Sequence, residues 1–438
     1  MKKIVLLFLT VSILFLSCNK EYPSEKSHPE NIFKSYLDNM EESRKKIENE
    51  SINAYYEKLS IEERIGQLFL ISIDGNSKED VENIVKVNRT SPGGYLLFSF
   101  NIAETADDTI DFLAELKNTY LDLEQVPPYI GIDHEGGSVN RLRTVCSALP
   151  SQQSVARYFS EKQAEKLYEL HGKQLNDLGI HVNIAPVVEV LTEENKEFLE
   201  NRSFGDKQTV IHFSNAEING MRKASVLPVL KHFPGNSNND PHTGLPVLHV
   251  SLDELINKYL ETFYQLYDDK MIGVLVAHTV TQSVDDRPAC LSERMISMLS
   301  SDKDFNGLVF SDDLLMKALT DNGFTIERSL IEAVDAGINI LMIAECRFDE
   351  YADILIDEYE WNEHFRKNVD ESVKKILEWK VSCGLLERDI EQTGFFEYKA
   401  YVHLPQPEDE FSKNNNKENF KKAYKEAEAL YNEVWWSR

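Results

Sequence analysis

From about residue 54 to residue 400 the chain alternates short apolar runs with amphipathic stretches. Runs of strand length fall at Leu68–Ile73, Gly94–Phe98, Tyr129–Ile132, Val182–Val190, Val226–Leu230, Ile272–Ala277, Gly307–Phe310 and Ile338–Ile343. Helical spacing occupies the intervals. Ile110, Leu113, Leu116 and Tyr120 share one face, and Ala164, Leu167, His171, Leu175 and Leu178 share another that stops at Gly179. Residues 208–223 read as helix, as do Val369–Lys380 before Gly384. Ser60 with Glu63, and Ser251 with Glu254, have the spacing of capping boxes. The second box opens a helix whose buried face is Leu252, Leu255, Tyr259, Phe263 and Leu266.

Apolar strands separated mainly by helices predict an α/β fold with parallel strands covered on both faces. A closed (β/α)8 TIM-type barrel satisfies this pattern, and a doubly wound sheet shares it. The polar residues favour the barrel. Asp133, Lys231-His232, His278 and Asp312-Asp313 each fall just past the C-terminal end of an expected strand, and a barrel brings all such positions to one rim.

The two ends read differently from the middle. Lys2 and Lys3 precede an apolar run, Ile4–Leu16, followed by Ser17 and Cys18. That is the layout of a secretory signal, and the run is short of the about 20 residues of a membrane-spanning helix. Its ending resembles a bacterial lipobox, with Phe15 where Leu is usual, which implies lipidation of Cys18. Residues 1–18 are therefore expected as a lipoprotein signal peptide, 19–53 as a polar linker or loosely docked helix, 54–400 as the barrel, and 401–438 as a C-terminal linker and helix. Within the last, Lys413–Lys417 is expected as linker. Phe420, Tyr424, Ala427, Tyr431 and Val434 form the face of a terminal helix, with Trp435 and Trp436 packing on the barrel.

Charge narrows the partners. Lys plus Arg total 47 against 74 Asp plus Glu, a net charge of -27 over 438 residues, which disfavours nucleic acid and anionic lipid surfaces. Cys146, Cys290, Cys346 and Cys383 lack metal-type spacing and are expected as buried free thiols. No metal or cofactor is implied.

The densest chemistry lies in KHFPGNSNNDPH, residues 231–242. It and three other stretches, GIDHEGGSVNRLR (131–143), NRSFG (201–205) and GLVFSDDLLMKAL (307–319), resemble glycoside hydrolase family 3 enzymes of the β-N-acetylglucosaminidase type, with VAHTVTQSVDDRPACLS (276–292) in support. The resemblance implies retaining hydrolysis, with Asp312 as nucleophile and His242, held by Asp240, as acid/base. An extended chain would turn Asp313 the other way; the residues alone do not choose between the two aspartates. Histidine titrates near neutrality, so it can give up and recover a proton within one turnover. By the same resemblance Asp133, Arg141, Arg202, Lys231 and His232 bind the sugar hydroxyls, where charge-assisted hydrogen bonds are strong. His278 and Asp285 read as rim support, and Glu135 has no assigned role.

Two departures stand out. Family members continue Pro-Gly with His-Gly where this chain has Asn236 and Ser237, and the span from Lys231 to Asp240 is shorter. Both fall in the segment that carries His242. The expected function is a lipid-anchored, monomeric exo-β-N-acetylglucosaminidase of the bacterial cell envelope, removing terminal N-acetylglucosamine (GlcNAc) from peptidoglycan fragments or related oligosaccharides. Alternatives are a β-glucosidase or β-xylosidase of the same family, a phosphorylase, and an inactive carbohydrate-binding lipoprotein.

Overall fold

The computed structural model describes residues 29–267, 272–300, 305–394 and 397–436. The signal-peptide and lipidation expectations, including Cys18, fall outside these residues. The chain divides into two units, Met1–Glu50 and Ser51–Arg438. In the first, residues from Pro29 onward belong to a helix recorded over Pro29–Tyr56, with Arg44–Glu48 and Lys46–Glu50 ion pairs one turn apart.

The second unit is built on eight parallel strands: β1 (Phe69–Ser72), β2 (Gly94–Leu97), β3 (Tyr129–Ile132), β4 (Val182–Asn183), β5 (Leu227–Phe233), β6 (Gly273–Val276), β7 (Leu308–Ser311) and β8 (Leu341–Ile343). From β1 to β7 each pairs with the next in sequence, and β1 pairs with β8. A parallel bridge between Phe310 and Ile340 closes the ring, reinforced by hydrogen bonds from Ser311 N to Ile340 O (2.9 Å) and from Ile340 N to Val309 O (3.0 Å). The expected (β/α)8 barrel is the fold. Every residue of these strands is buried, as parallel strands covered by helices require.

Local signals act where the sequence placed them. Ser60 and Glu63 form both arms of a capping box at the helix Ile61–Gly66. The helix Glu161–Leu178 stops at Gly179, whose φ of 88° is left-handed and suits glycine. All five face residues of that helix are buried.

Several expectations need correction. The fourth strand ends at Asn183; Pro186 brings no N–H to the ladder, although Ala185 O and Pro186 O still accept from Val229 N and Lys231 N of β5, and a bridge joins Val187 to Lys231. β5 instead runs on to Phe233, so Lys231 and His232 lie within the strand. The helix after Ser251 contains a π-helical segment, Leu255–Leu260, and its first apolar residue, Leu252, is exposed. Lys413–Lys417 is part of the helix Glu410–Trp436. Asp409 accepts from Ser412 N at 2.8 Å, and Lys413–Glu410 and Lys417–Asp111 ion pairs at 2.6 and 2.7 Å outweigh the weak helix preference of the asparagines. Trp435 stacks on Tyr431 and meets Tyr158 edge-on, but Trp436 is exposed. An antiparallel hairpin, Glu387–Gly394 with Glu397–His403, was not anticipated. Of the described thiols, Cys146 and Cys290 are buried, and Cys346 and Cys383 are only half-buried.

Candidate active site

The ends of β3, β4, β5 and β7 deliver the polar residues to one rim. Just beyond β3, Asp133 accepts from Lys231 Nζ at 2.7 Å. The same ammonium lies 2.6 Å from Glu135 Oε1. Arg202 closes on Glu135 through two parallel bonds, Nε to Oε2 and Nη2 to Oε1, both 2.8 Å. This bidentate fork fixes the guanidinium plane. Lys231 and Glu135 are buried, so each charge depends on its partners.

The electrostatics follow from that enclosure. Burial is the largest influence on Glu135 and would raise its pKa, but Lys231 and Arg202 together hold it down at about 2. Burial would likewise weaken the charge on Lys231, and Asp133 and Glu135 reverse this, raising its pKa. Glu135, Lys231 and Arg202 are therefore all ionised at neutral pH.

The register of β5 slips between Leu230 and Phe233, and consecutive residues there both bond to rim groups. Lys231 joins Asp133 and Glu135, whereas His232 Nδ1 donates to Glu189 Oε1 at 2.7 Å. His232 Nε2 then accepts, with Arg202 Nη2 at 3.4 Å. Glu189 also receives Asn236 N at 2.6 Å and Asn236 Nδ2 at 3.1 Å. Burial opposes ionisation of Glu189, and the His232 and Asn236 contacts overcome it, lowering its pKa.

After β7 the two aspartates separate. Asp313 Oδ1 accepts from Leu315 N and Ala344 N, both at 3.1 Å, and His278 Nε2 donates to the Asp313 carbonyl at 2.9 Å. Burial raises the pKa of Asp313. The Asp312 carboxylate receives only its neighbour's amide, Asp313 N at 2.9 Å, among the described residues. One carboxylate is built into the rim through two backbone amides; the other has only its neighbour's amide among the described residues.

Asp240 and His242 form a separate, outer pair. His242 Nδ1 and Asp240 Oδ1 are 2.6 Å apart, and His242 N donates to the same oxygen at 2.9 Å. Their side chains are 67% and 48% exposed. Burial would raise the pKa of Asp240, but the His242 contacts lower it. The loop between β5 and this pair turns at Gly235, where φ is 134° and a Cβ would stand 2.8 Å from Tyr259 Cδ1. Further along, Asn238 accepts from Glu197 N at 2.9 Å and donates to Glu193 O at 3.0 Å. Pro241 O accepts from Ala318 N at 3.2 Å, joining this loop to the segment after β7.

Of the sequence-predicted residues, Asp133, Arg202, Lys231 and His232 therefore share one bonded network. Arg141 stands outside it, with its guanidinium 5.9 Å from the Phe98 ring centre and its buried Nε unpartnered. Asp285 is tied to Ser292 and Arg287 as rim support. Sequence reasoning gave Glu135 no role, yet it bridges both cations; it met Asn236 only as a departure from the family pattern, and it passed over Glu189. An acidic residue inside the apolar run Val182–Val190 was the available signal for Glu189.

The structure thus sets a polar, partly enclosed cluster of paired charges on a (β/α)8 rim that also carries Asp312 past the end of β7. The chain matches the glycosyl hydrolase family 3 N-terminal domain over residues 60–379, and it belongs to that family of glycoside hydrolases. It is 29% identical over 290 residues to a beta-hexosaminidase of Methylobacillus flagellatus, covering 64% of this chain and 81% of that protein. It is 34% identical over 227 residues to beta-hexosaminidase LpqI of Mycobacterium tuberculosis, covering 50% of this chain and 58% of that one. The solved structure of M. tuberculosis LpqI aligns with a TM-score of 0.64 and 29% identity, over 73% of this chain and 93% of the solved chain.

Proposed function

We propose that this glycoside hydrolase is a retaining exo-β-N-acetylglucosaminidase that works through a glycosyl-aspartate on Asp312. One juxtaposition carries the reading. Asp312 is left uncommitted while Asp313 is bound to backbone amides, and the Asp240–His242 loop is tied at Pro241 to the segment that follows Asp312. The beta-hexosaminidase relatives give the sugar class.

In this mechanism Asp133, Arg202 and Lys231, with Glu135 ordering the cations, hold the hydroxyls of the terminal GlcNAc. Arg141 and His232 complete the binding set. Asp312 attacks the anomeric carbon as His242, protonated and steadied by Asp240, gives its proton to the departing oxygen. The Asp312–sugar bond is then broken by water, whose proton returns to His242. The donor stands in a solvent-exposed loop, so the leaving sugar completes its surroundings.

Peptidoglycan fragments are the substrate this reading favours, with the chain a monomer lipid-anchored at Cys18 in the bacterial cell envelope. Lys2, Lys3, the Ile4–Leu16 run and Ser17-Cys18 support the anchor. Among the described residues no helix is long and apolar enough to cross a membrane. Cys18→Ser is expected to abolish labelling by a fatty-acid probe in cells; persistent labelling would count against the anchor.

A slow, fluorinated GlcNAc donor tests the chemistry. Mass analysis of the trapped enzyme is expected to find the sugar on Asp312. Labelling of Asp313, or turnover of 4-nitrophenyl β-glucoside but not of the GlcNAc analogue, overturns the proposal.

A further inference from the structure

Asn236 is one of the two positions where this chain departs from the family pattern, and it is 1% exposed. Its main-chain N–H and its side-chain amide both donate into Glu189, and its side-chain carbonyl accepts from Thr279 Oγ1 at 3.1 Å. Glu189 lies beyond β4, Asn236 beyond β5 and Thr279 beyond β6, so one small side chain ties together the ends of consecutive strands. Further along the same loop the chain has reached solvent, where Asp240 and His242 pair.

We propose that Asn236 is a positioning residue for proton transfer. By pinning the root of the loop to Glu189 and Thr279, it fixes how far the Asp240–His242 pair can reach over the leaving oxygen. The proposal rests on the acid/base reading of His242. It accounts for the departure at this position: the loop is short, and its base is locked by an amide that satisfies both neighbours at once.

The geometry separates this role from sugar binding. Glu189 Oε1 is shared, but its bond to His232 Nδ1 at 2.7 Å does not pass through Asn236. Replacing the side chain leaves His232 held and the main-chain N–H on Glu189 in place, but it cuts the bond from Nδ2 to Glu189 and the link to Thr279, so the loop gains freedom that must be lost again whenever His242 meets the leaving oxygen. Rate therefore suffers where protonation matters, and binding of the terminal sugar does not.

The test compares wild type, Asn236→Ala and Thr279→Val on 4-nitrophenyl β-GlcNAc, a good leaving group, and chitobiose, a poor one. Inhibition by free GlcNAc reads the binding half. Asn236→Ala is expected to lose about 10-fold more kcat on chitobiose than on the nitrophenyl substrate, a fraction of the full worth of an acid catalyst. Its GlcNAc inhibition constant should stay within about twofold of wild type. Thr279→Val, which removes only the hydroxyl donor, should shift the same ratio less; it decides the matter if Asn236→Ala does not fold. Equal losses on both substrates, or a weakened GlcNAc inhibition constant with an unchanged ratio, overturn the proposal. If wild type itself turns over neither GlcNAc substrate, the functional reading has failed rather than the role of Asn236.

Discussion

The inner and outer halves of the rim solve opposite problems. Asp133, Glu135, Arg202 and Lys231 form a compact set in which each charge is held by another at 2.6–2.8 Å, and Lys231 and Glu135 are buried. Asp240 and His242 hold each other at 2.6 Å, but in solvent. The inner set is preorganised: it cannot relax without leaving a buried charge unpaired. The outer pair is open to water and depends on its loop for position. A retaining hydrolase needs both characters, a rigid cradle for one sugar and a group that gives a proton to the leaving oxygen and takes one back from the attacking water.

The contrast can be broken most forcefully from the inside. Lys231→Met leaves Asp133 without its cation and Glu135 with Arg202 alone. It should cost about 3–5 kcal/mol of stability, read as a lowered denaturation midpoint, and should abolish GlcNAc inhibition. A variant that keeps its stability would show that the inner set is not a buried network.

Acid should reach the inner half next. His134, which stands between Asp133 and Glu135 in the chain, is buried against His171, with His134 Nε2 3.3 Å from His171 Nδ1. Burial holds His171 at about 4, against an ordinary 6.5, and holds His134 well below that same value. Between pH 6.5 and 4 the unfolded chain takes up protons that the fold refuses, so stability falls as pH drops through this window, by at most about 1.4 kcal/mol per pH unit for each histidine. Below about 4.5, protonation of Glu135 adds to the loss as pH falls toward its folded value of about 2. Chemical denaturation across pH should show the slope, and His171→Gln should flatten it. A pH-independent midpoint would place these imidazoles in water.

The smallest effect belongs to the outer loop. Ser237, the other departure from the family pattern, is half-buried, and among the described residues its hydroxyl accepts only a weak bond, from Asn239 N at 3.3 Å. Ser237→Ala should change stability by less than about 0.5 kcal/mol. A larger loss, measured by denaturation, would mean that the loop is held along its length rather than at Asn236, Asn238 and Pro241.

The barrel was legible because its signals are local. Apolar runs of strand length, Gly179 and the Ser60–Glu63 box each act within a few residues, and their sum leaves few ways to arrange parallel strands. Two local signals misled: the apolar run Val182–Val190 contained Pro186, and the asparagines after Lys413 looked like linker although Asp111 and Glu410 pair with the lysines around them. The site was legible as a set of residues but not as a set of contacts. Glu135 meets Arg202 and Lys231, and Glu189 meets His232 and Asn236, across long stretches of chain. No spacing rule reports such pairs. Asp312 and Asp313 are adjacent in sequence and become distinct only when Ala344 N, beyond β8, claims one of them.

The division of labour between the two halves meets its most direct test in His242→Ala, assayed with chitobiose and 4-nitrophenyl β-GlcNAc and with free GlcNAc as inhibitor. The account predicts a loss of about 10²–10⁴ in kcat/KM on chitobiose, a much smaller loss on the nitrophenyl glycoside, and an unchanged GlcNAc inhibition constant. Equal losses on both substrates, or a loss of GlcNAc binding, would contradict it.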